Sequence, residues 1–222
     1  ILYSFRRCPF AIRARWALLN THQEVELREV DLKNKPVELI RISKKATVPV
    51  LQTTSKKVID ESIEIMIWCL KRSKRYELLG DNNTFKEIFR LIDTNDNRFK
   101  YHLDKFKYAS RYDYQDLVAH RDSGMEILLA LNKRLKCFAD KGKSIFLVNA
   151  KETLADWAIW PFVRQFRMVD IERFDQNNEI KLLRSWLSYY TNHKSYTIVM
   201  KKYEVWNKAI DPLFFGKPMQ AK

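Results

Sequence analysis

The sequence contains very little glycine, only four residues in 222. It has no Gly-rich loop of the kind that cradles phosphate groups. The four histidines lack zinc-like spacing, so we expect no metal. The apolar runs fall far short of the ~18 to 20 residues that cross a bilayer, so we expect no membrane span.

Cysteine is also scarce. Three cysteines form an odd number without a disulfide framework, which argues for a reducing compartment. Since no signal peptide is visible, we expect a cytoplasmic protein. The first predicted strand begins at Ile1 itself, so we expect a few residues to be missing before it.

Acidic residues are outnumbered, with 41 Lys/Arg against 27 Asp/Glu and a net charge of +14. Up to Arg75 there are 16 basic and 8 acidic residues, and the remainder holds 25 and 19, so the excess is spread along the chain. Such a surface attracts anions. No recognised nucleic-acid motif accompanies the charge, so we expect no nucleic-acid partner.

The stretch Cys8-Pro9-Phe10 is the most informative part of the chain. It follows a predicted strand over residues 1–5 and opens a helical face of Phe10, Ala14, Ala17 and Leu18. Proline suits the first helical position, so Cys8 is expected at the N-cap. There the outward N–H groups and the helix dipole favour a thiolate, and we expect Cys8 to be reactive with a lowered pKa. Arg6 and Arg7 add positive charge.

The other two cysteines provide a contrast. Cys69 and Cys137 both lie inside apolar helical patterns, and we interpret them as structural.

The first 75 residues alternate between strand and helix patterns in the order β-α-β-α-β-β-α, which is typical of a thioredoxin-like α/β domain. Ile63, Met66, Ile67 and Leu70 define the last helix of this series. We expect the first two strands to pair in parallel through a right-handed crossover.

A polar linker runs from Ser73 to Asn83, and residues 84–222 are predicted to form an all-helical domain. Its apolar stripes predict the core of a bundle: Phe85, Ile88, Phe89, Ile92; Leu128, Leu131, Leu135, Phe138; Ile180, Leu183, Leu187. Thr153 and Asp156 match a capping box. Pro161 falls inside the helix that follows and should bend it.

Together these residues resemble the cytosolic glutathione transferase family, and within it the cysteine-type, omega-like class. The resemblance covers essentially the whole chain. The resemblance rests on five segments: Arg7-Cys8-Pro9-Phe10, Leu32-Lys33-Asn34-Lys35-Pro36, Thr47-Val48-Pro49-Val50-Leu51, Asp60-Glu61-Ser62 and the Thr153–Asp156 box.

The resemblance implies a glutathione site. It makes Val48-Pro49 a cis bond, with the backbone before the proline pairing with the cysteinyl unit of the ligand. Ser62 and its helix N-terminus would take the γ-glutamyl carboxylate, and Glu61 would pair with the ammonium. Lys35 is the matching candidate for the glycyl carboxylate. For Glu61 and Ser62 a plain helix cap is the alternative, and for Lys35 a solvated surface lysine.

The chain departs from the dithiol pattern of a glutaredoxin. Ala11 stands where the second cysteine would lie, so the site is monothiol. Tyr3 and Ser4 suggest the hydroxyl-type transferases, but a cysteine at the helix start favours a mixed disulfide with glutathione.

Two functions remain open. The first is a glutathione-dependent transferase or thioltransferase with Cys8 as nucleophile, acting on an unidentified electrophile or disulfide. The second is a non-catalytic binding or regulatory protein on the same fold, for example one associated with transcription machinery.

A second-substrate pocket is expected between the domains, with Phe10, Trp160 and Arg164 as candidates for its walls and ordinary core packing as their alternative. Family resemblance and the Phe85 stripe also lead us to expect a homodimer.

Overall fold

The computed structural model describes residues 1–108, 114–139 and 145–217. The chain divides into two compact units. The first consists of Ile1–Tyr76 with His193–Lys222, and the second of Glu77–Asn192. The C-terminal segment therefore groups with the first unit, whereas the sequence assigned it to the helical domain.

The first unit follows the predicted β-α-β-α-β-β-α order. Its elements are β1 (Leu2–Ser4), α1 (Pro9–Asn20), β2 (Val25–Glu29), α2 (Val37–Ile42), β3 (Val50–Gln52), β4 (Val58–Ile59) and α3 (Ser62–Ser73). Strands β1 and β2 pair in parallel, as predicted, with Leu2 opposite Leu27. Strand β3 lies antiparallel to both β1 and β4.

The second unit is helical throughout its regular elements. A 3₁₀ turn (Tyr76–Leu79) leads to α4 (Asn82–Asp93), a π-helical turn (Thr94–Phe99), α5 (Lys100–Lys107), α6 (Tyr114–Ala139), α7 (Leu154–Arg167), α8 (Ile171–Gln176), a second 3₁₀ turn (Asn178–Ile180) and α9 (Lys181–Thr191). Helix α7 continues through Pro161.

Most of the predicted stripes form the core of the second unit. Buried members are Ile88, Ile92, Leu128, Leu131, Leu135, Ile180, Leu183 and Leu187. The three phenylalanines of these stripes are not fully buried, since Phe85 is 45% exposed and Phe89 and Phe138 are half-buried. Asp156 is fully buried and closes the predicted capping box with Thr153 at the start of α7.

Helix α1 is buried on nearly all sides, because it packs against α3 and against α10 (Lys194–Val199). Two of its buried side chains, Arg13 and Arg15, are charged. Arg15 forms an ion pair with Glu29 on β2 and donates to the Ser4 hydroxyl at 2.7 Å. These partners satisfy a guanidinium that water does not reach.

The buried face of α3 is rotated from the predicted one. Its buried apolar residues are Ile65, Met66, Cys69 and Leu70. Ile63 and Ile67, which the sequence placed on the core stripe, are only half-buried. The prediction of that stripe was therefore half wrong. Seven positions of α3 are apolar, so periodicity alone does not select the buried face, and packing against α1 decides it.

The prediction of helix up to the C-terminus was wrong after Val199. The chain there forms irregular structure with a turn near Asn207 and then β5 (Phe214–Phe215), which pairs antiparallel with β2 and completes the sheet order β4-β3-β1-β2-β5. The Leu27 N–H donates to the Leu213 carbonyl at 2.7 Å, and the Trp206 N–H donates to the Glu29 carbonyl at 2.8 Å. The segment thus satisfies backbone groups along the outer edge of β2.

Candidate active site

A cavity of about 410 Å³ opens in the first unit. Four separate stretches of chain line it, with the residues Cys8, Phe10, Leu32, Lys35, Ala46, Thr47, Val48, Pro49, Asp60, Glu61 and Ser62. Every site residue that the sequence predicted before Trp160 is in this set. The fold brings them together because the starts of α1 and α3 and the turn before β3 meet at one end of the sheet.

Cys8 occupies the N-cap of α1, as predicted. Its backbone is extended (φ −81°, ψ 120°), and Pro9 takes the first helical position. The Cys8 N–H donates to the Phe5 carbonyl at 2.9 Å, and the Ile12 N–H donates to the Cys8 carbonyl at 2.9 Å. The half-buried thiol donates to the Val48 carbonyl oxygen at 3.6 Å. The sulfur therefore lies at a helix N-terminus and at the wall of a cavity.

The other cysteines lie outside this cavity lining. Cys69 is buried, and burial raises the pKa of its thiol to about 12. Cys137 lies within α6, as expected, but it is exposed. Its interpretation as a structural core residue was wrong, because the buried face of α6 there passes through Leu131 and Leu135 instead.

The Val48–Pro49 peptide bond is cis, as the sequence resemblance implied. Both residues are buried, and β3 follows at Val50. Just before them, Ala46 has a left-handed backbone with φ +46°, which a residue with a Cβ rarely adopts. Ala46 and the exposed Thr47 both line the cavity.

The start of α3 carries a polar cluster. Glu61 is its N-cap, and Ser62 is its first residue, 5% exposed. The Arg13 guanidinium donates to the Ser62 hydroxyl at 3.4 Å from the buried side. A positive charge thus lies behind a hydroxyl and a helix N-terminus, and this combination favours an anion.

Two carboxylates face the same cavity. Asp60 accepts a hydrogen bond from the Ser43 hydroxyl at 3.2 Å. Glu61 is exposed and forms an ion pair with Lys45. Lys35 reaches the cavity from the loop before α2 and is half-buried. Cationic and anionic groups therefore line one small volume, which suits a zwitterionic ligand with additional carboxylate.

The positive charge is concentrated in the first unit. That unit holds 22 Lys/Arg against 10 Asp/Glu, whereas the second holds 19 against 17. The excess is spread along the chain, as expected, but the fold gathers it, because the basic C-terminal segment joins the basic N-terminal residues in one unit. The unit that contains the cavity thus has a net charge of +12, which favours the approach of anions.

Some cavity residues were not among the predicted site residues. Leu32, Thr47 and Asp60 stand inside or next to the stretches that carry the resemblance, so their position along the chain was a usable signal. Arg13 does not line the cavity but supports Ser62 from behind, and no sequence signal indicated this role, since a charged residue on a helix is normally interpreted as exposed.

The remaining two predicted residues, Trp160 and Arg164, belong to α7 of the second unit. Trp160 is fully buried, and its ring stacks on Tyr190 with centroids 5.7 Å apart. Arg164 is half-buried. Phe10, the third member of that predicted set, lines the cavity of the first unit and lies under the Arg13 guanidinium, 5.3 Å from its ring centroid.

The part of the chain that the structure describes contains neither a metal-binding cluster nor a membrane-spanning helix. No group of three or more His, Cys, Asp or Glu side chains is placed to hold a metal ion. No helix among those residues has the length and apolarity needed to cross a bilayer.

Comparison with known proteins gives matches over both units. Residues 2–74 match the family described as glutathione S-transferase, N-terminal domain. Glutathione S-transferase omega-1 from Rattus norvegicus is 24% identical over 182 residues, which cover 82% of this chain and 73% of that protein.

Solved structures share the fold at low sequence identity. Glutathione transferase Omega 3C from Trametes versicolor aligns with a TM-score of 0.73 and 17% identity, covering 91% of this chain and 89% of that one. Yeast Ure2p in complex with glutathione aligns with a TM-score of 0.77 and 16% identity, covering 89% and 96%.

Proposed function

The chain is an omega-like member of the glutathione transferase family, and we propose that it is a glutathione-dependent thioltransferase with Cys8 as its nucleophile. One observation carries the proposal: Cys8 lies at the N-cap of α1 and lines the same cavity as the start of α3. A helix N-terminus stabilises a thiolate relative to a thiol. The absence of a second cysteine at position 11 limits the chemistry to monothiol exchange.

Glutathione carries two carboxylates, one ammonium and one thiol, and the cavity offers a partner for each. In this proposal Ser62 and the N–H groups of α3 bind the γ-glutamyl carboxylate, with Arg13 behind them. Glu61 faces the ammonium, and Lys35 faces the glycyl carboxylate. The Val48 backbone pairs with the cysteinyl unit beside Cys8.

The exchange runs in two steps. The Cys8 thiolate attacks the glutathione sulfur of a mixed disulfide, so that the Cys8–glutathione bond forms and the partner thiolate leaves. A glutathione thiolate then attacks that bond, releasing oxidised glutathione and restoring the Cys8 thiolate. Glutathione supplies the electrons, so no other reductant is needed.

A Cys8→Ser variant tests the proposal with the mixed disulfide of glutathione and 2-mercaptoethanol as substrate. The rate of oxidised-glutathione formation should fall by roughly 100-fold or more, because a hydroxyl does not replace a thiolate. Conjugation of a chloro-nitro-aromatic acceptor should be retained or raised. A Cys137→Ser variant is the matched control, since it removes an exposed thiol and should leave exchange unchanged. Full exchange activity in Cys8→Ser would place the nucleophile elsewhere.

The alternative is a binding or regulatory protein without turnover. It is favoured by the structural likeness to Ure2p, a yeast prion protein with a nitrogen regulation fragment of the same fold. Glutathione binding alone does not separate the two functions, because Ure2p also has a glutathione complex. Turnover that depends on Cys8 does separate them. In either case we propose that the protein acts in the cytoplasm. For the enzyme we propose that Phe10, which lines the cavity, helps to hold the second substrate.

A further inference from the structure

Lys45 forms an ion pair with Glu61 at the edge of the cavity. The two side chains are 56% and 58% exposed. Lys45 immediately precedes Ala46 and Thr47, which line the cavity. The hydrogen bond from Lys45 to Glu61 raises the pKa of a lysine that is already cationic at neutral pH. The Lys45 ammonium thus already pairs with Glu61, the carboxylate that binds the ligand ammonium in the proposed function.

We propose that Lys45 is a specificity-determining residue, which competes with the ammonium of a γ-glutamyl ligand for the Glu61 carboxylate. The inference rests on the proposed function. It predicts that Lys45 lowers the affinity for ligands that carry the γ-glutamyl ammonium. Neutralising Lys45 should remove this loss of affinity.

The charges around the cavity explain why the competition concerns the ammonium and not the carboxylate. The ligand carboxylate has its own partners in Ser62, the start of α3 and the buried Arg13. The ammonium has only Asp60 and Glu61 among the cavity-lining carboxylates, and Asp60 already accepts from Ser43. Lys45 therefore pairs with one of the two cavity-lining carboxylates that the ligand ammonium could use.

A carboxylate has two oxygens, so the two ammonium groups do not exclude each other by contact alone. They compete because two cations at one anion repel each other and leave a net positive charge. Since Lys45 and Glu61 are both more than half exposed, water screens the pair, and the effect on affinity should be about two- to five-fold.

Isothermal titration with S-methylglutathione measures the effect, because this probe binds without forming a disulfide. Lys45→Gln should bind it about two- to five-fold more tightly than the wild type. Lys44→Gln is the matched control, since it removes the same charge from the adjacent exposed position. Lys44→Gln should show no gain, because it loses only the general attraction between a basic surface and an anion.

A second probe isolates the ammonium. N-acetyl-S-methylglutathione lacks that cation, so Lys45→Gln should bring it no gain in affinity. An equal gain with both probes would overturn the proposal, and so would unchanged or weaker binding of S-methylglutathione to Lys45→Gln relative to Lys44→Gln. Failure of the wild type and of both variants to bind S-methylglutathione at millimolar concentration would overturn the proposed function, and this inference with it.

Discussion

The sulfur of Cys8 lies 3.6 Å from the carbonyl oxygen of Val48, although 40 positions separate the two residues. The first belongs to the N-cap of α1 and the second to the turn that enters β3 through a cis proline. Their approach places a thiol beside an extended backbone segment that a peptide ligand can pair with. The proposed chemistry depends on this juxtaposition more than on either residue alone.

The three thiols should react at very different rates. Brief alkylation at neutral pH followed by peptide mass spectrometry should find Cys8 labelled roughly tenfold or more faster than Cys137, because the N-terminus of α1 favours the reactive thiolate. Cys69 should stay unlabelled in the folded protein, since it is buried and its pKa is about 12. Cys137 is exposed, so it is the stringent comparison. Faster labelling of Cys137 would remove the case for Cys8 as the nucleophile.

Glutathione affinity should depend more on Glu61 than on Lys35. Glu61→Gln removes the charge that faces the ligand ammonium and should weaken binding about three- to five-fold, because the exposed carboxylate is screened by water. Lys35→Ala should weaken it only about two- to three-fold, since its contact is with a partly solvated carboxylate. Thermal shift and isothermal titration with S-methylglutathione measure both. Glu64→Gln, the same change at an exposed position one turn along α3, serves as the control. Equal loss in Glu61→Gln and Glu64→Gln would reduce the Glu61 effect to general electrostatics.

The order of elements in the first unit could be predicted because each signal is local. Proline near the first turn marks the starts of α1 and α2, and apolar periodicity marks the helices between strands. The cavity could be predicted in outline for the same reason, since Cys8, Val48 and Glu61 each stand at the boundary of an element. Local signals place these residues at the ends of helices and strands, and the sheet topology then brings those ends together around the cavity.

Non-local contacts set the limit of this prediction. Strand β5 has only two residues and is stabilised by pairing with the edge of β2. No pattern within residues 201–217 predicts that pairing. Arg13 and Arg15 are buried because Ser62 and Glu29 lie opposite them in space. Lys45 pairs with Glu61, 16 residues away, and it precedes Ala46, whose left-handed backbone no local pattern predicted.

Phe85 should report on self-association. We expect a two-fold dimer, but Ile88 and Ile92 of the predicted interface stripe are buried within one chain, so Phe85 and the half-buried Phe89 remain available. Phe85→Glu should reduce the mass measured by light scattering to that of one chain, 26.7 kDa, at physiological salt. Ile171→Glu is the control, because Ile171 is similarly exposed at 44%. A wild type of 26.7 kDa at low and physiological salt would exclude the dimer.

Asp156 should control the stability of the second unit. Its carboxylate accepts hydrogen bonds from the Leu147 and Thr153 N–H groups, the Thr153 hydroxyl and the Trp186 indole, at 2.8–3.0 Å. Asp156→Asn presents an NH₂ group to donors and should lower the free energy of unfolding by about 2–3 kcal/mol at pH 7.5. Chemical denaturation followed by tryptophan fluorescence measures the loss. An unchanged free energy of unfolding would mean that the four contacts contribute nothing net.

The pH dependence of that loss gives the balance between burial and hydrogen bonding at Asp156. Burial raises its pKa to about 6, against the lowering effect of the four hydrogen bonds. The folded state then binds the proton more tightly than the unfolded state between about pH 4 and pH 6, so the contribution of Asp156 to stability declines as the pH rises through that window. The stability difference between wild type and Asp156→Asn should therefore be larger at pH 4.5 than at pH 7.5.

Asp81→Asn should behave in the opposite way, because backbone donation from Thr84 lowers the pKa of the exposed Asp81 cap and its contribution is lost as the pH falls. A difference at Asp156 that shrinks in acid, as at Asp81, would show that the hydrogen bonds outweigh burial.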